Sequence, residues 1–428
     1  MTGHTLPRAA ILTIGDELLK GERVDTNAAW LARHLTRSGF RVTEVVSVGD
    51  PPEEIRHGLR EARAVVGEGG LVVATGGLGP TLDDRTRDAV AEEFGRELVE
   101  DPELLAELEA RFRSRGFDAL PTPNRRVARV PEGARLLPNR EGTAPGLVLE
   151  EAGIMVVLLP GVPAEMRHLV EGPFREVLEE RFQGRGGAGV PVVRSIRTTG
   201  IPESALAERI EDLLSDTGAV NLASLPSVLG VELVVSATGP DAQRSVEEMM
   251  DTLLRRLEPW VYDAPSGDLA EAVLLRMRAS GWTVAMAESC TAGLVSKRLT
   301  DHPGASEVFL GGVVAYSNTA KEALLGVPEA LLREHGAVSA EVARAMARGA
   351  CRRFGADAAV GITGIAGPGG GSETKPVGTV AIWTVTPHGE TGGVERFPGG
   401  REEIRARAAQ HALHGLLQVA SNPWARDG

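Results

Sequence analysis

Ser289, Tyr316 and Lys321 are the residues whose types and spacing are best suited to chemistry. Ser289 follows an apolar, strand-like segment and precedes a helical one, within residues 288–293. A serine hydroxyl attacks a carbonyl group when a base takes its proton, and a lysine desolvated in a pocket can be uncharged near neutral pH and serve as that base. The tyrosine hydroxyl could relay a proton or orient an amide. The three residues together predict hydrolysis of the Ser–Lys type.

Each of these residues also has a structural explanation. Ser289 or Thr291 could cap the helix that follows, and Lys321 could be a solvated charge on a helix. Tyr316 could end a strand with its hydroxyl exposed. If the serine lies at a helix N-terminus, unpaired N–H groups there can stabilise a developing anion. No histidine lies in a pattern typical of a Ser-His-Asp triad.

A glycine-rich stretch at residues 361–371 follows another predicted buried strand and precedes Lys375. Dense glycines expose N–H groups that suit a phosphate, and the Thr363 hydroxyl is a further donor. A flexible hairpin is the alternative. The stretch lacks the glycine patterns of P-loop and dinucleotide-binding proteins, so the sequence offers no signature for either class.

Two segments near the N-terminus combine glycines and carboxylates after predicted strands. Residues 15–17 (Gly-Asp-Glu) form the first, and residues 75–79 with Asp84 and Thr86 form the second. Such glycines let a phosphate approach the backbone, and clustered carboxylates can hold a hydrated Mg²⁺-type ion. The alternative is a tight turn with aspartates as helix caps. Further rigid turns, at 142–146 and at 159–163 with Glu165, favour a site at one sheet edge.

Strand-like and helical patterns alternate from the apolar run at residues 9–14 onward. This alternation predicts a parallel sheet covered by helices on both faces. The pattern changes to a small α+β insert at 190–262, and a linker-like APSG segment at 264–267 precedes another α/β pattern. We therefore expect a multidomain α/β protein with domains at 1–175, 176–263 and 264–428.

Composition excludes several function classes. The 428 residues carry a net charge of −13, which disfavours long-range attraction to nucleic acids. Two cysteines, Cys290 and Cys351, cannot build a disulfide framework or a cysteine-based zinc site within one chain. The N-terminal apolar run is too short for a signal peptide, and no apolar stretch approaches the ~20 residues that cross a bilayer. We expect a cytoplasmic protein with no membrane partner.

The N-terminal motifs resemble the molybdopterin-binding domain of molybdenum cofactor biosynthesis proteins. Residues 75–79, Asp84 and Thr86 match that family's TGG-x-G…D-x-T pattern. The local run GGLGPTLDD is similar to the N-terminal domain of the CinA family, and this resemblance implies metal-dependent hydrolysis of ADP-ribose. Our hypothesis assigns substrate contacts to Gly76, Gly77 and Thr86, and Mg²⁺, Mn²⁺ or Co²⁺ ligation to Asp16, Asp84 and Glu165.

The C-terminal motifs resemble, nearly residue for residue, the nicotinamide-nucleotide amidase domain of the CinA family. The matching segments are AESCTAGL (287–294), PGASEVFLGGVVAYSNTAK (303–321), GITGIAGPGGG (361–371) and KPVGTV (375–380). Ala292 departs from the pattern, since the family usually has glycine there. The order of the domains is that of full-length CinA, whose middle domain is KH-like.

This resemblance implies hydrolysis of nicotinamide mononucleotide to nicotinate mononucleotide and ammonia, with no cofactor in this domain. Ser289 would attack the carboxamide carbon, Lys321 would accept the proton with help from Tyr316, and N–H groups near Thr291 would hold the oxyanion. The partners would be nicotinamide mononucleotide, ADP-ribose and a second copy of the chain in a dimer. The expected substrate contacts of this domain are Thr291, Gly293, Thr363, Gly364, Gly367 and Arg401.

Two other functions remain open at this point. The family's competence-related name suggests a non-enzymatic partner of DNA-uptake or recombination machinery, and the N-terminal resemblance allows a molybdopterin-binding protein. KH modules grip single strands through a GXXG loop, and no such loop with basic flanks occurs between 190 and 262. Nucleic-acid binding by the insert is therefore disfavoured.

Overall fold

A computed structural model describes residues 6–182, 192–215 and 220–421. The segment 183–191, near the expected start of the second domain, lies outside these ranges. Among the described residues, no helix combines the length and the apolar character needed to cross a membrane.

The first domain is a six-stranded sheet with helices on both faces. The strand order is β2-β1-β3-β8-β7-β6, and the three central strands are almost wholly buried. The strands of the domain are β1 (Arg8–Ile14), β2 (Arg41–Val48), β3 (Leu71–Thr75), β4 (Leu98–Glu100), β5 (Arg129–Pro131), β6 (Arg135–Leu137), β7 (Gly146–Glu151) and β8 (Ile154–Leu159). Of these, β4 and β5 lie outside the six-stranded sheet and pair with each other in a separate antiparallel ladder. The helices are α1 (Asp16–Leu19), α2 (Thr26–Arg37), α3 (Pro52–Val66), α4 (Thr86–Glu93), α5 (Pro102–Ser114), α6 (Thr122–Arg125), α7 (Pro163–Glu171) and α8 (Pro173–Phe182).

The sheet is only partly parallel, unlike the expectation from the sequence. Strands β2, β1, β3 and β8 run parallel, whereas β7 is antiparallel to β8 and β6 is antiparallel to β7. The connection between β7 and β8 is the pair Ala152 and Gly153, which have φ values of 52° and 74°. A two-residue turn with positive φ at both positions makes a hairpin, whereas a parallel crossover needs a dozen residues or more.

The first domain extends beyond the expected boundary at residue 175. Helix α8 continues to Phe182, and Phe174, Val177 and Leu178 are buried in the same core as β1 and β3. The sequence pattern placed the boundary too early because Gly172 and Pro173 interrupt the helical pattern, so that α8 resembles the start of a new segment.

The small domain has the α+β character expected from its sequence. Its four-stranded sheet has the order β10-β11-β9-β12, and β12 is antiparallel to β9. The strands are β9 (Val192–Thr198), β10 (Val220–Ser227), β11 (Gly230–Ala237) and β12 (Val261–Tyr262), and the helices are α9 (Glu203–Arg209), α10 (Glu211–Ser215) and α11 (Ala242–Leu257).

The C-terminal domain is a five-stranded sheet of order β14-β13-β15-β16-β17 between two helical layers. Strands β14, β13 and β15 are parallel, and β16 and β17 form an antiparallel hairpin at the other edge. Helices α12 and α17 contribute to the core on one face, and α16 to the core on the other. The elements are α12 (Leu269–Ser280), β13 (Val284–Glu288), α13 (Leu294–Thr300), β14 (Phe309–Val314), α14 (Asn318–Leu325), α15 (Glu329–His335), α16 (Ala340–Phe354), β15 (Ala358–Gly364), β16 (Thr379–Thr386), β17 (Gly389–Arg396) and α17 (Arg401–Ser421).

Candidate active site

The C-terminal ends of β13 and β14 bring Ser289 and the segment before α14 to the same edge of the sheet. The Ser289 N–H donates to the carbonyl of Ile362 on β15 over 2.9 Å, so the serine continues the line of β13. Helix α14 starts where the Ser317 side chain accepts the Ala320 N–H. This cap directs the first turn of α14, and Lys321 with it, toward the end of β13.

Ser289 and Lys321 form a buried side-chain pair. The distance from Lys321 Nζ to Ser289 Oγ is 3.1 Å, and the two residues are 1% and 7% exposed respectively. The same Nζ lies 3.0 Å from the carbonyl oxygen of Ala315 and 3.4 Å from that of Tyr316. A neutral amine has two N–H donors and one lone pair. The two carbonyls take the donors, so the lone pair can accept the serine O–H.

Burial favours the uncharged form of this lysine. Desolvation lowers the Lys321 pKa below its ordinary value of 10.5, against a smaller opposing effect of Cys290. The neighbouring thiol is disfavoured as an alternative nucleophile, because desolvation raises the Cys290 pKa to about 11 and keeps it protonated. The serine is therefore the nucleophile that this pocket can activate.

Glu288, to which the sequence assigned no role, caps α13. Its carboxylate is completely buried and accepts the N–H groups of Gly293, Val295 and Ser296 over 2.9, 3.2 and 2.9 Å. The expectation that this helix terminus offers unpaired N–H groups beside the serine is wrong, because a carboxylate at a helix N-terminus takes them first. Ser289 is therefore not the cap of α13, since Glu288 takes that place and the Ser289 hydroxyl faces Lys321.

The turn between Ser289 and α13 is held by an arginine that sequence reasoning missed. Arg405 on α17 donates to the carbonyls of Cys290 over 3.1 Å and Thr291 over 2.8 Å. The Thr291 hydroxyl is buried and has no hydrogen-bond partner among the described residues. Gly293 has φ of 91° and is the N-cap residue of α13. Arg405 is one helical turn beyond Arg401, which was the only available signal for it.

The glycine-rich loop lies against this turn, but its predicted hydroxyl donor, Thr363, has a partner within the protein. Thr363 Oγ1 donates to the carbonyl of Ala337 over 2.8 Å instead of pointing to open space. A Cβ on Gly364 would lie 3.0 Å from Cys290 Sγ, which shows how closely the loop approaches the serine turn. Gly367 is buried, and its carbonyl accepts from Arg401 over 2.6 Å.

Tyr316 and Arg401 lie at the exposed rim of this site. Arg401 donates to the Tyr316 hydroxyl over 3.0 Å, and the tyrosine is 61% exposed. The contribution of Tyr316 to the Lys321 amine is its backbone carbonyl, not its hydroxyl. Arg401 is thus near the entrance, with part of its guanidinium already bonded to the protein.

In the N-terminal domain, the predicted substrate contacts of the glycine turn are engaged with one another. Thr86 Oγ1 donates to the Gly76 carbonyl over 2.8 Å, and the Thr86 N–H donates to the Gly77 carbonyl over 3.2 Å. A Cβ on Gly76 would lie 2.1 Å from the Ile14 carbonyl oxygen. Arg87, missed from the sequence, is buried and donates to the Leu78 carbonyl over 2.5 Å. Burial lowers the Arg87 pKa to about 10.

The three predicted metal ligands are not brought together. Asp16 accepts from Lys20 over 2.8 Å and from the Asp50 N–H, and the Lys20 hydrogen bond holds the Asp16 pKa low. Asp84 accepts the N–H of Thr81 over 2.8 Å, as an aspartate in a turn does. Glu165 accepts from Asn139 over 2.7 Å. Within residues 6–182, 192–215 and 220–421, no three His, Cys, Asp or Glu side chains are placed to share an ion.

A small cleft of about 120 Å³ does lie at the strand ends of this domain, lined by residues from the loops after β1, β3 and β8. Glu17, not Asp16, lines it, together with Asn27 and Thr75. Asn27 donates to the Gly161 carbonyl over 2.8 Å, and its own oxygen is buried with no partner in the described part of the chain. An unpaired acceptor is suited to a ligand with hydrogen-bond donors or to a cation.

Comparison with known families divides the chain in the same order as the fold. The Probable molybdopterin binding domain matches residues 10–180, the Damage-inducible protein CinA KH domain matches 193–263, and the CinA C-terminal domain matches 266–420. The predicted resemblances and the predicted order of domains along the chain are confirmed by these matches.

Relatives match over nearly the whole chain. A CinA-like protein of Gemmatimonas aurantiaca is 45% identical over 416 residues, covering 96% of this chain and 95% of the relative. A putative competence-damage inducible protein of Symbiobacterium thermophilum is 42% identical, covering 95% of this chain and 97% of the relative. A crystal structure of the protein CinA with unknown function from Thermoplasma acidophilum is 37% identical over 40% of this chain and 98% of that one, with a TM-score of 0.37. The chain therefore belongs to the CinA family.

Proposed function

We propose that the C-terminal domain hydrolyses the carboxamide of nicotinamide mononucleotide, giving nicotinate mononucleotide and ammonia. The observation that carries the proposal is the buried contact of 3.1 Å between Lys321 Nζ and Ser289 Oγ. A serine paired with a desolvated amine is a nucleophile with its base, the arrangement that acyl transfer needs. The identity of the amide substrate rests on the sequence resemblance given above.

The proposed reaction has two stages. Ser289 Oγ bonds to the carboxamide carbon as Lys321 Nζ takes its proton, and the resulting oxyanion is held by backbone N–H groups of the turn at 290–291, since Glu288 occupies those farther along. Lys321 then gives its proton to the leaving nitrogen, and ammonia departs from an acyl-serine. In the second stage, water loses a proton to Lys321 and attacks the ester, and Ser289 regains a proton as the carboxylate leaves.

The rim of the site supplies the proposed anchor for the nucleotide phosphate. Arg401 projects near the glycine-rich loop at residues 367–371, where the backbone is largely exposed. A guanidinium makes strong charge-assisted bonds to phosphate, and fixing the phosphate would hold the amide at the serine. In this proposal, Arg401 releases the Tyr316 hydroxyl when substrate binds and donates to a phosphate oxygen instead.

Ammonia release by the full-length protein tests this proposal. With nicotinamide mononucleotide as substrate, Ser289→Ala is expected to abolish ammonia release, because no other described group bonded to Lys321 Nζ carries a transferable proton. The matched control is Ser306→Ala, which removes an exposed hydroxyl before the start of β14 and is expected to keep wild-type turnover. Wild-type turnover by Ser289→Ala would refute the mechanism, and no turnover by the wild type would refute the substrate.

We also propose, as a second candidate, that the N-terminal domain hydrolyses ADP-ribose. The cleft lined by Glu17, Asn27 and Thr75 at the strand ends supports a polar ligand there. Asp16, Asp84 and Glu165 do not fit a shared divalent ion, so no step is assigned to a metal.

Incubation of full-length protein with ADP-ribose, with and without Mg²⁺, Mn²⁺ or Co²⁺, tests the second candidate. AMP and ribose 5-phosphate are the expected products, and Ser289→Ala should form them at the wild-type rate. No product under any condition would leave this domain as a binding module, for molybdopterin or for a partner of competence machinery.

A further inference from the structure

A cavity of about 830 Å³ lies between the small domain and the C-terminal domain, and the proposed functions do not use it. The small domain lines it with residues 199–203 and 226–231, and the C-terminal domain lines it with Glu395, Phe397 and one face of α17. Its volume is within the range of about 300–1,000 Å³ typical of small-molecule sites.

Arg407 on α17 lines this cavity, and its Nε is buried with no bond to any described residue. Gln410, on the same face, is not a free donor, because its amide is hydrogen-bonded to the side chains of Arg298 and Tyr262. A buried donor without a partner is costly, so the Arg407 guanidinium is suited to an acceptor that is not part of the chain.

Arg407 also has no described ion-pair partner on this face. No described carboxylate lies within ion-pair distance of Arg407, although the guanidinium is half-buried. Glu203 and Glu395 line the same cavity at exposed positions, where they can accept hydrogen bonds from hydroxyl groups. Phe397, Ile201 and Leu229 add apolar walls. An anionic group, hydroxyls and a flat ring on one ligand would match these three kinds of surface.

We infer that this cavity is a binding site for a nucleoside monophosphate or a closely similar small molecule. Arg407 binds the anionic group, the two carboxylates accept the sugar hydroxyls, and the ring packs on Phe397. His411, whose imidazole packs edge-on against Phe397 with ring centroids 5.8 Å apart, completes this wall. The ligand orders the two domains against each other at this face.

The contacts of the cavity walls also connect this site to the candidate active site. Helix α17 carries Arg407 on the cavity and Arg405 on the serine turn. The Phe397 N–H donates to the Gly378 carbonyl, and the Gly378 N–H donates to the carbonyl of Ile365 in the glycine-rich loop, over 2.9 and 2.8 Å. A ligand that restrains α17 and Phe397 thereby restrains the loop and the turn without reaching the serine.

Calorimetric titration of the full-length protein with UMP tests the inference, with uridine as the uncharged match. UMP is expected to bind, and uridine to bind at least 10-fold more weakly. Arg407→Met should weaken UMP binding at least 10-fold, whereas Arg276→Met, which removes an exposed arginine of α12 away from the cavity, should change it less than 2-fold.

A second variant separates loss of binding from loss of folding. Leu229→Trp fills the cavity from an exposed position, 38% accessible, and should weaken UMP binding with no change in the thermal melt. The inference is overturned if UMP does not bind at millimolar concentration, if both Arg407→Met and Leu229→Trp bind it normally, or if Arg276→Met alone loses it.

Discussion

Both large domains place a glycine turn and a hydroxyl at the end of a central strand, yet the two turns differ in what the hydroxyl contacts. In the N-terminal domain, Thr86 donates back to the Gly76 carbonyl of its own turn. In the C-terminal domain, Ser289 faces the amine of Lys321 from another helix. The first arrangement satisfies the turn, and the second leaves a proton that can move. A hydroxyl beside glycines therefore indicates a reactive site only when a titratable partner reaches it.

The two domains also differ in the free-energy cost of their buried basic residues, Lys321 and Arg87. Burying a lysine away from water is unfavourable, and no described carboxylate is near enough to pair with Lys321. Arg87 in the other domain is nearly as buried, but its guanidinium is fully charged at neutral pH and serves two loop carbonyls. A buried amine that is shifted toward its neutral form and contacts a nucleophile is typical of a functional site.

The largest expected effect is the loss of the base. Lys321→Met keeps the length of the side chain but not the amine, and should reduce ammonia release by about 10³-fold or more, since an unassisted serine is a poor nucleophile. Steady-state rates on nicotinamide mononucleotide provide the measurement. Lys297→Met, which removes an exposed lysine paired with Asp301, is the control and should be active. Equal rates for the two variants would show that Lys321 does not activate Ser289, so that the serine would be no more reactive than Thr86 in its own turn.

A smaller effect, on stability, is expected in the N-terminal domain. Gly76→Ala places a methyl group 2.1 Å from the Ile14 carbonyl at a φ of 115°, and should cost about 2–4 kcal/mol of the stability of the N-terminal domain. Differential scanning calorimetry should show one transition moving down. Ammonia release below that transition should be unchanged. Gly95→Ala, at a φ of 61° with open space around it, is the milder control. A transition of Gly76→Ala at the wild-type temperature would mean that the turn has room for a side chain.

The smallest effect concerns Ala292, beside the serine turn. Its φ of 50° lies in the left-handed region, which costs an L-residue about 1 kcal/mol or more. Ala292→Gly removes that strain but adds freedom to the unfolded chain, so the net gain in stability should be at most about 1 kcal/mol. Thermal melts of the two proteins compare them. A loss of more than about 1 kcal/mol in the stability of Ala292→Gly would show that contacts of the Ala292 methyl group outweigh the backbone strain.

The sequence predicted the local parts of this account better than the tertiary ones. The strands before Ser289 and before the glycine-rich loop follow from apolar runs, and the proximity of Ser289 to Lys321 follows from the convergence of strand ends at one sheet edge. Glu288 was not assigned, because a carboxylate that ends a strand looks the same whether it is solvated or caps a helix. Arg405 was missed because its contact with the serine turn depends on how α17 packs.

The proposed metal site shows the opposite error. Asp16, Asp84 and Glu165 each follow a turn at the predicted sheet edge, and nothing in their spacing reveals that local N–H groups and side chains already bind them. Asn27 and Glu17 line the cleft instead, because the loop before α2 folds over the strand ends. The sequence pattern predicts which loops lie at the edge of the sheet, whereas tertiary packing determines which of their side chains face the cleft.

Titration of the Lys321 amine tests the central claim most directly. The chain has four lysines, Lys20, Lys297, Lys321 and Lys375, so protein labelled with ¹³C at lysine Cε should give a spectrum simple enough to assign by Lys321→Met. The assigned signal is expected to titrate below the ordinary pKa of 10.5, and ammonia release should fall as the pH is lowered through the same value, because a protonated amine cannot accept the serine proton. A signal that titrates at or above 10.5 would contradict the role of Lys321 as the base.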